Sequence, residues 1–199
     1  MNEFVLATAN PDKAREISEL LGDHVRLIPR PPEVPDVEET GRTLLENARL
    51  KARAIVGVTG KPAIADDTGL EVEALKGAPG VRSARYAGEH ACYWENVAKL
   101  LAELANVGEP RLARFRTVAV ALGPDGTEIV AEGAVSGSIA LEPRGDGGFG
   151  YDPVFIPVEG DGRTFAEMDP EAKHELSHRG AAFRRLRDLL QGDVAGTSR

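Results

Sequence analysis

Two adjacent carboxylates, Asp66 and Asp67, follow a short apolar run that ends at Ala65, and Thr68 and Gly69 come directly after them. The run reads as a buried strand, and carboxylates at its end are costly to bury unless a metal or a basic group accompanies them. A cation is therefore expected beside the pair. Taken alone, Asp-Asp-Thr-Gly reads more readily as turn and capping residues, so the other chemistry-bearing residues have to decide.

The segment Thr8-Ala9-Asn10-Pro11-Asp12-Lys13 lies between an apolar run, Phe4 to Ala7, and an amphipathic stretch through Leu21. Ile17, Leu20 and Leu21 share one helical face, Pro11 suits a first turn and Gly22 a stop, which predicts strand, tight loop and helix. Such a loop presents backbone N–H groups to an anion, and Thr8, Asn10 and Lys13 add a hydroxyl, an amide and an ammonium. The alternative is that Thr8 or Asn10 only caps the helix. Lys13 speaks for the anion, because a cation in a first turn opposes the helix dipole unless negative charge lies nearby. Further on, Thr43 and Glu46 have capping-box spacing for a helix reaching about Val56. On it Asn47 and Lys51 are one turn apart, facing either a common ligand or solvent.

Two more groups lie in the carboxyl-terminal half. Arg144 to Pro153 holds four glycines in the six positions 145–150, together with Phe149 and Tyr151. Its aromatics either offer faces to a planar base or fold back onto the core. Asp169-Pro170-Glu171 opens a helix that contains Lys173. Ser177 is the natural cap of the last helix, which puts His178 and Arg179 in its first turn, where cations again require an anion or an electron-rich ligand.

The positioning elements follow from pattern. Strands are expected at 25–28, 70–72, 118–122, 128–131 and 154–156, with a further short strand holding Ile139 and Leu141. Pro29 to Pro35, with four prolines in seven residues, is an extended connector. Tyr93 to Asn106 is a helix with Val97, Leu100, Leu101 and Leu104 inward, and the last helix buries Phe183, Leu186, Leu189 and Leu190. Arg82 and Arg85 are given no site role. The 199 residues suit one domain, 1–191, with a tail at 192–199. A composition 42% hydrophobic and 28% charged is globular, and a net charge of −8 argues against a long nucleic-acid groove. A single cysteine, Cys92, suits a reducing compartment, and no apolar run is long enough to span a membrane, so a cytoplasmic protein is expected.

Two basic helix starts, an acidic strand and an aromatic glycine loop are together the parts needed for a nucleoside polyphosphate: cations and N–H groups for phosphates, carboxylates for Mg²⁺, aromatics for a base. No Cys/His array suggests zinc and no Gly-x-Ser-x-Gly suggests an acyl nucleophile, which leaves water activated by a carboxylate and a metal.

Thr8-Ala9-Asn10 with Lys13 and Glu16, Glu39-Thr40-Gly41, Glu46-Asn47-Ala48 with Lys51, Ala65 to Leu70, Gly77-Ala78-Pro79-Gly80, Gly147 to Pro153 and Ser177-His178-Arg179-Gly180 resemble, in that order, the inosine/xanthosine triphosphate pyrophosphatase family. The resemblance implies cleavage of ITP, dITP and XTP between the α- and β-phosphates with Mg²⁺. It implies that Thr8, Ala9, Asn10, Asp12 and Lys13 cradle phosphates, with added charge from Lys51 and Lys173. Asp67 would ligate the metal and orient or deprotonate water, with Asp66 in support and Glu38 or Glu39 as a second metal carboxylate. Thr68, Phe149, Gly150, Tyr151, Asp152, His178 and Arg179 would contact the nucleotide. The implied fold is α/β, a long mixed central sheet flanked by helices, in two lobes with a cleft between them, assembled as a homodimer. One departure is Ala9, where the family usually has glycine; a left-handed backbone there would strain an alanine. Two other readings stay open, a pyrophosphatase for other modified nucleotides and a nucleotide-binding sensor without turnover.

Overall fold

A computed structural model describes residues 3–22 and 24–196, and the side chains of 3–22 and 24–192. Glu3–Leu6 (β1) pairs in parallel with Arg26–Ile28 (β2) and with Ala63–Val72 (β3), Phe4 lying opposite Leu27 and Val5 opposite Ala63. Parallel neighbours need crossover connections, and here they contain helices Pro11–Leu21 (α1) and Leu44–Thr59 (α2). Asn10 caps α1, its side-chain oxygen accepting from the N–H groups of Asp12 at 2.9 Å and Lys13 at 3.3 Å. Thr43 Oγ1 caps α2 by accepting from Glu46 N–H at 3.1 Å. Glu46 in turn accepts from Arg42 N–H at 2.6 Å, one residue before the partner that a capping box requires.

β3 departs most from the sequence expectation. Thr68 and Gly69 make no turn, and the strand continues unbroken to Val72, so Asp66 and Asp67 sit in mid-strand. The period-2 burial of Leu70 and Val72 carries it on. A further support is the short antiparallel strand Pro79–Gly80 (β4), where Gly80 lies opposite Leu70. Leu70 N–H also donates to Ser83 Oγ at 2.9 Å.

Tyr93–Glu103 (α3) is followed by a long hairpin, Leu112–Leu122 (β5) and Glu128–Ile139 (β6), then by Phe155–Pro157 (β7), Pro170–Leu176 (α4) and His178–Gly196 (α5). Ile139 ends β6 opposite Phe155, while Leu141 lies beyond the strand and is exposed, so the two do not share the separate strand expected for them. Of the tail placed at 192–199, residues 192–196 belong to α5 and 197–199 lie outside the described residues. The sheet has seven strands in the order β2-β1-β3-β5-β6-β7, with β4 against β3. Among the described residues no helix is long and apolar enough to cross a membrane.

The chain divides into two compact units, one of residues 1–67, 117–133 and 179–199, the other of 68–116 and 134–178. The first has its core around Phe4, Ile17, Leu21, Ile64, Phe183 and Leu186. In the second, Phe155 packs between Phe115 and Phe165, with ring centroids 4.7 Å and 5.1 Å away. Leu189 is not part of the inward stripe of α5: it is 41% exposed. At 100° per residue it falls well off the line of Phe183, Leu186 and Leu190. Phe155→Ala is expected to cost about 3–5 kcal/mol and Leu189→Ser no more than about 0.5 kcal/mol, measured by urea denaturation.

Candidate active site

Successive side chains of a strand point to opposite faces, so two consecutive carboxylates within β3 must find separate partners. Both are buried. Asp66 Oδ2 is met by Lys13 Nζ at 3.1 Å, from the first turn of α1, and by Arg179 Nη2 at 3.5 Å, from the first turn of α5. Arg179 Nη1 also donates to Glu16 Oε2 at 2.7 Å. The negative charge that both basic helix starts require is thus supplied by the protein's own Asp66 and Glu16.

Asp67 is held from α2. Asn47 Nδ2 donates to Oδ2 and Lys51 Nζ to Oδ1, each at 3.1 Å. The one-turn spacing of Asn47 and Lys51 therefore does bring them to a common group, and that group is Asp67. Lys51 also donates to Glu39 Oε1 at 2.8 Å. One ammonium is shared between two carboxylates.

These pairings set the charge states. Burial would raise the Asp66 carboxyl, but Lys13, Arg179 and Lys51 together outweigh it and hold the group well below the usual carboxylate range. Burial likewise lifts Asp67, and here the lift prevails: Lys51 and Lys13 oppose it while Glu39 adds to it. Lys51 is pushed up to about 12, since Asp67 and Glu39 overcome the effect of burial. Lys13 is lowered by burial, with Asp66 opposing. Two neighbouring aspartates thus diverge, one firmly ionised and the other closer to accepting a proton.

The second unit holds its own polar group in an apolar setting. Asp152 Oδ2 accepts from Lys173 Nζ at 2.6 Å and from Phe149 N–H at 2.8 Å. A Cβ on Gly148, where φ is +67°, would lie 2.1 Å from that same oxygen, so only glycine lets the loop close on Asp152. Lys173 Nζ stands 5.0 Å from the Phe149 ring centroid, and Tyr93 packs beside that ring at 5.8 Å. The two open readings of the loop aromatics separate here. Phe149 is half-buried, next to the Asp152–Lys173 pair. Tyr151 instead folds into the core and donates its hydroxyl to Ser83 O at 2.9 Å, so its ring is taken up by packing. His178 is buried and stacks on Phe115 at 4.4 Å. Thr68 and Gly150 are half-buried, and nothing lies within 4 Å of a Cβ built on Gly150.

Of the two glutamates weighed as partners of Asp67, Glu39 reaches it through Lys51, whereas Glu38 is exposed. Thr8 Oγ1 accepts from Asn10 N–H at 3.1 Å, and Asn10 caps, so capping does occur in this loop. Ala9 carries no strain: Lys76 is the one non-glycine residue with positive φ among the described residues. Asp12 lies in the first turn and pairs with Arg15 at 3.0 Å. Two residues enter the site beyond the roles assigned from sequence: Asn47, weighed only as facing a ligand or solvent beside Lys51, and Glu16, quoted only within the first-loop motif.

Residues 4–189 match the Ham1 family. The chain belongs to the Ham1 family. It is similar to the dITP/XTP pyrophosphatase of Streptomyces coelicolor, 47% identical over 96% of this chain and 100% of that protein. The dITP/XTP pyrophosphatase of Porphyromonas gingivalis is 50% identical over 96% and 98%. Among solved structures, a HAM1 protein from Coxiella burnetii superposes with a TM-score of 0.87 at 45% identity, covering 96% of this chain and 100% of that one. The mixed α/β fold built on a seven-stranded sheet is thus one that this chain shares with that HAM1 structure.

The donor set around Asp67 also bears on a metal. Among the described residues no group of three or more His, Cys, Asp or Glu converges in metal-binding geometry. Mg²⁺ needs less: it keeps several waters and takes one or two carboxylates, with substrate phosphates completing the shell. Asp67 and Glu39, both oxygen donors drawn to one ammonium, fit that requirement.

Because its folded value lies below its unfolded one, Asp66 contributes stability that is present above about pH 4 and is lost as the pH falls. Asp66→Asn is therefore expected to cost about 3–5 kcal/mol at neutral pH, by stranding Lys13 and Arg179. The gap to the parent protein should narrow on acidification. Urea denaturation at steps from pH 7 to pH 3 measures it, and a pH-independent gap would show that the ionised Asp66 is not its source.

Proposed function

We propose that this Ham1-family chain hydrolyses deaminated purine nucleoside triphosphates, ITP, dITP and XTP, to the nucleoside monophosphate and pyrophosphate. The observation that carries the chemistry is the buried Asp67 carboxylate, fixed at both oxygens and sharing Lys51 with Glu39. The choice of substrate is supported by the relatives, named dITP/XTP pyrophosphatases and similar over almost the whole chain.

In this reading Asp67 and Glu39 hold Mg²⁺, which when bound offsets phosphate charge and lowers the pKa of its water. Burial raises the Asp67 carboxyl from its ordinary value, which favours proton transfer to it. A water oxygen attacks the α-phosphorus, its proton passes to Asp67, and the bridging oxygen leaves with pyrophosphate. Lys13 and Lys51 face the phosphates, joined by Thr8, Ala9, Asn10 and Asp12 of the first loop. Asp66 holds Lys13 and Arg179 in place. Lys173 adds positive charge for the phosphates, and Thr68, Phe149, Gly150, Tyr151, Asp152, His178 and Arg179 are the nucleotide contacts that the family resemblance implies. A buried site built to bond a 6-oxo group leaves a 6-amino group unsatisfied, and this disfavours ATP. A homodimer acting in the cytoplasm, without nucleic-acid or membrane partners, completes the proposal. It is supported by the family resemblance, the lone cysteine and the acidic net charge.

Pyrophosphate release should be measured across ITP, XTP, ATP, GTP and UTP, with and without Mg²⁺. Turnover is expected to require Mg²⁺, with kcat/KM for ITP and XTP exceeding that for ATP by about 100-fold or more; turnover of UTP equal to that of ITP would overturn the purine reading. Asp67→Asn should keep its melting temperature and lose about 10²–10⁴ in kcat.

A further inference from the structure

Asn47 is fully buried, and both ends of its amide are engaged. Its Nδ2 donates to Asp67 Oδ2 at 3.1 Å, and its Oδ1 accepts from Gly41 N–H at 2.8 Å. Gly41 is two residues from Glu39, on the irregular segment that precedes α2. The approach is close enough to dictate residue type: a Cβ on Gly41 would lie 2.4 Å from Asn47 Oδ1 and 2.8 Å from Glu46 Cβ. One side chain on a rigid helix therefore ties together a strand residue, Asp67, and the segment bearing Glu39. Lys51 alone could not do this, because an ammonium is a rotatable point charge that orients neither carboxylate plane. A planar amide with one donor and one acceptor in use has a single orientation.

We propose that Asn47 is a positioning residue for cation binding: it sets the separation and orientation of Asp67 and Glu39, and so the site for a divalent metal. The inference rests on the reading of these two carboxylates as the metal's protein ligands. Residues that orient ligands from behind typically change metal affinity or activity by about 10- to 100-fold when altered. Asn47 touches neither phosphate nor water in this scheme, and acts through Asp67 and Gly41.

The test uses the full chain and three variants: Asn47→Leu, which removes both bonds; Gly41→Ala, which attacks the same link from its far end while leaving Asn47 and Asp67 intact; and the double variant. Binding of Mn²⁺ alone is read from loss of the free-ion electron paramagnetic resonance signal. Initial rates with ITP are read at low and high Mg²⁺. Each single variant is expected to weaken Mn²⁺ binding about tenfold and to slow turnover at low Mg²⁺, with most of the rate restored at high Mg²⁺. The double variant should be no worse than the poorer single one, since both cut the same link. Should Asn47→Leu lower the melting temperature yet bind Mn²⁺ as the parent does, the residue is structural and the inference fails. If Asn47→Leu does not fold, Gly41→Ala decides by the same criterion. A parent protein that neither binds Mn²⁺ nor requires Mg²⁺ overturns the metal reading itself, and the inference with it.

Discussion

Two negative charges side by side on a buried strand cannot be neutralised from one direction. The pleat sends Asp66 and Asp67 to opposite faces, and each must be matched by cations that reach it from a different helix. α1 and α5 supply Lys13 and Arg179 to Asp66; α2 supplies Lys51, with Asn47, to Asp67. Three helices are thus held to one strand by groups that would be costly to leave without their partners. The first unit is organised by this demand as much as by its apolar core.

The same demand makes the two aspartates chemically different. Asp66 is outnumbered by cations and stays ionised, which suits a residue that anchors basic groups. Asp67 shares its cation with Glu39, and burial prevails over what remains, so its carboxyl is raised. A pair of like groups driven apart by environment is the usual arrangement for dividing electrostatic and proton-transfer work. In the second unit Asp152 and Lys173 form a comparable buried pair, tied to the backbone of Phe149 and closed by a loop that tolerates only glycine at position 148.

Much of the fold was legible from pattern. Asn10-Pro11 and Thr43 announced α1 and α2, and both residues do cap, though Glu46 meets Arg42 N–H rather than that of Thr43; capping is decided by a few neighbouring residues. What failed shows why local rules end where they do. Thr68-Gly69 looked like a stop for β3, yet the strand runs through it, because β4 and Ser83, distant in sequence, occupy its flank. Leu189 was counted with an apolar stripe whose phase only packing against the other core residues fixes. Lys13, Arg179 and His178 were read as needing a ligand. For the first two the structure supplies internal carboxylates, and for the third an aromatic neighbour; none of these is adjacent in sequence.

By itself the sequence determined the inventory: which helices start with cations, which strand carries carboxylates, where glycines let a loop close tightly, and the ordered set of motifs that resembles the inosine/xanthosine triphosphate pyrophosphatase family. These are properties of residue type and short spacing. Only the tertiary structure decided who pairs with whom: that Glu39 rather than Glu38 shares Lys51, that Asn47 links Gly41 to Asp67, and that Tyr151 belongs to the core while Phe149 stands beside Lys173. The physical reason is range. Hydrogen bonds and ion pairs between residues far apart in the chain depend on distances that exist only after the strands and helices have packed, and no local pattern encodes them.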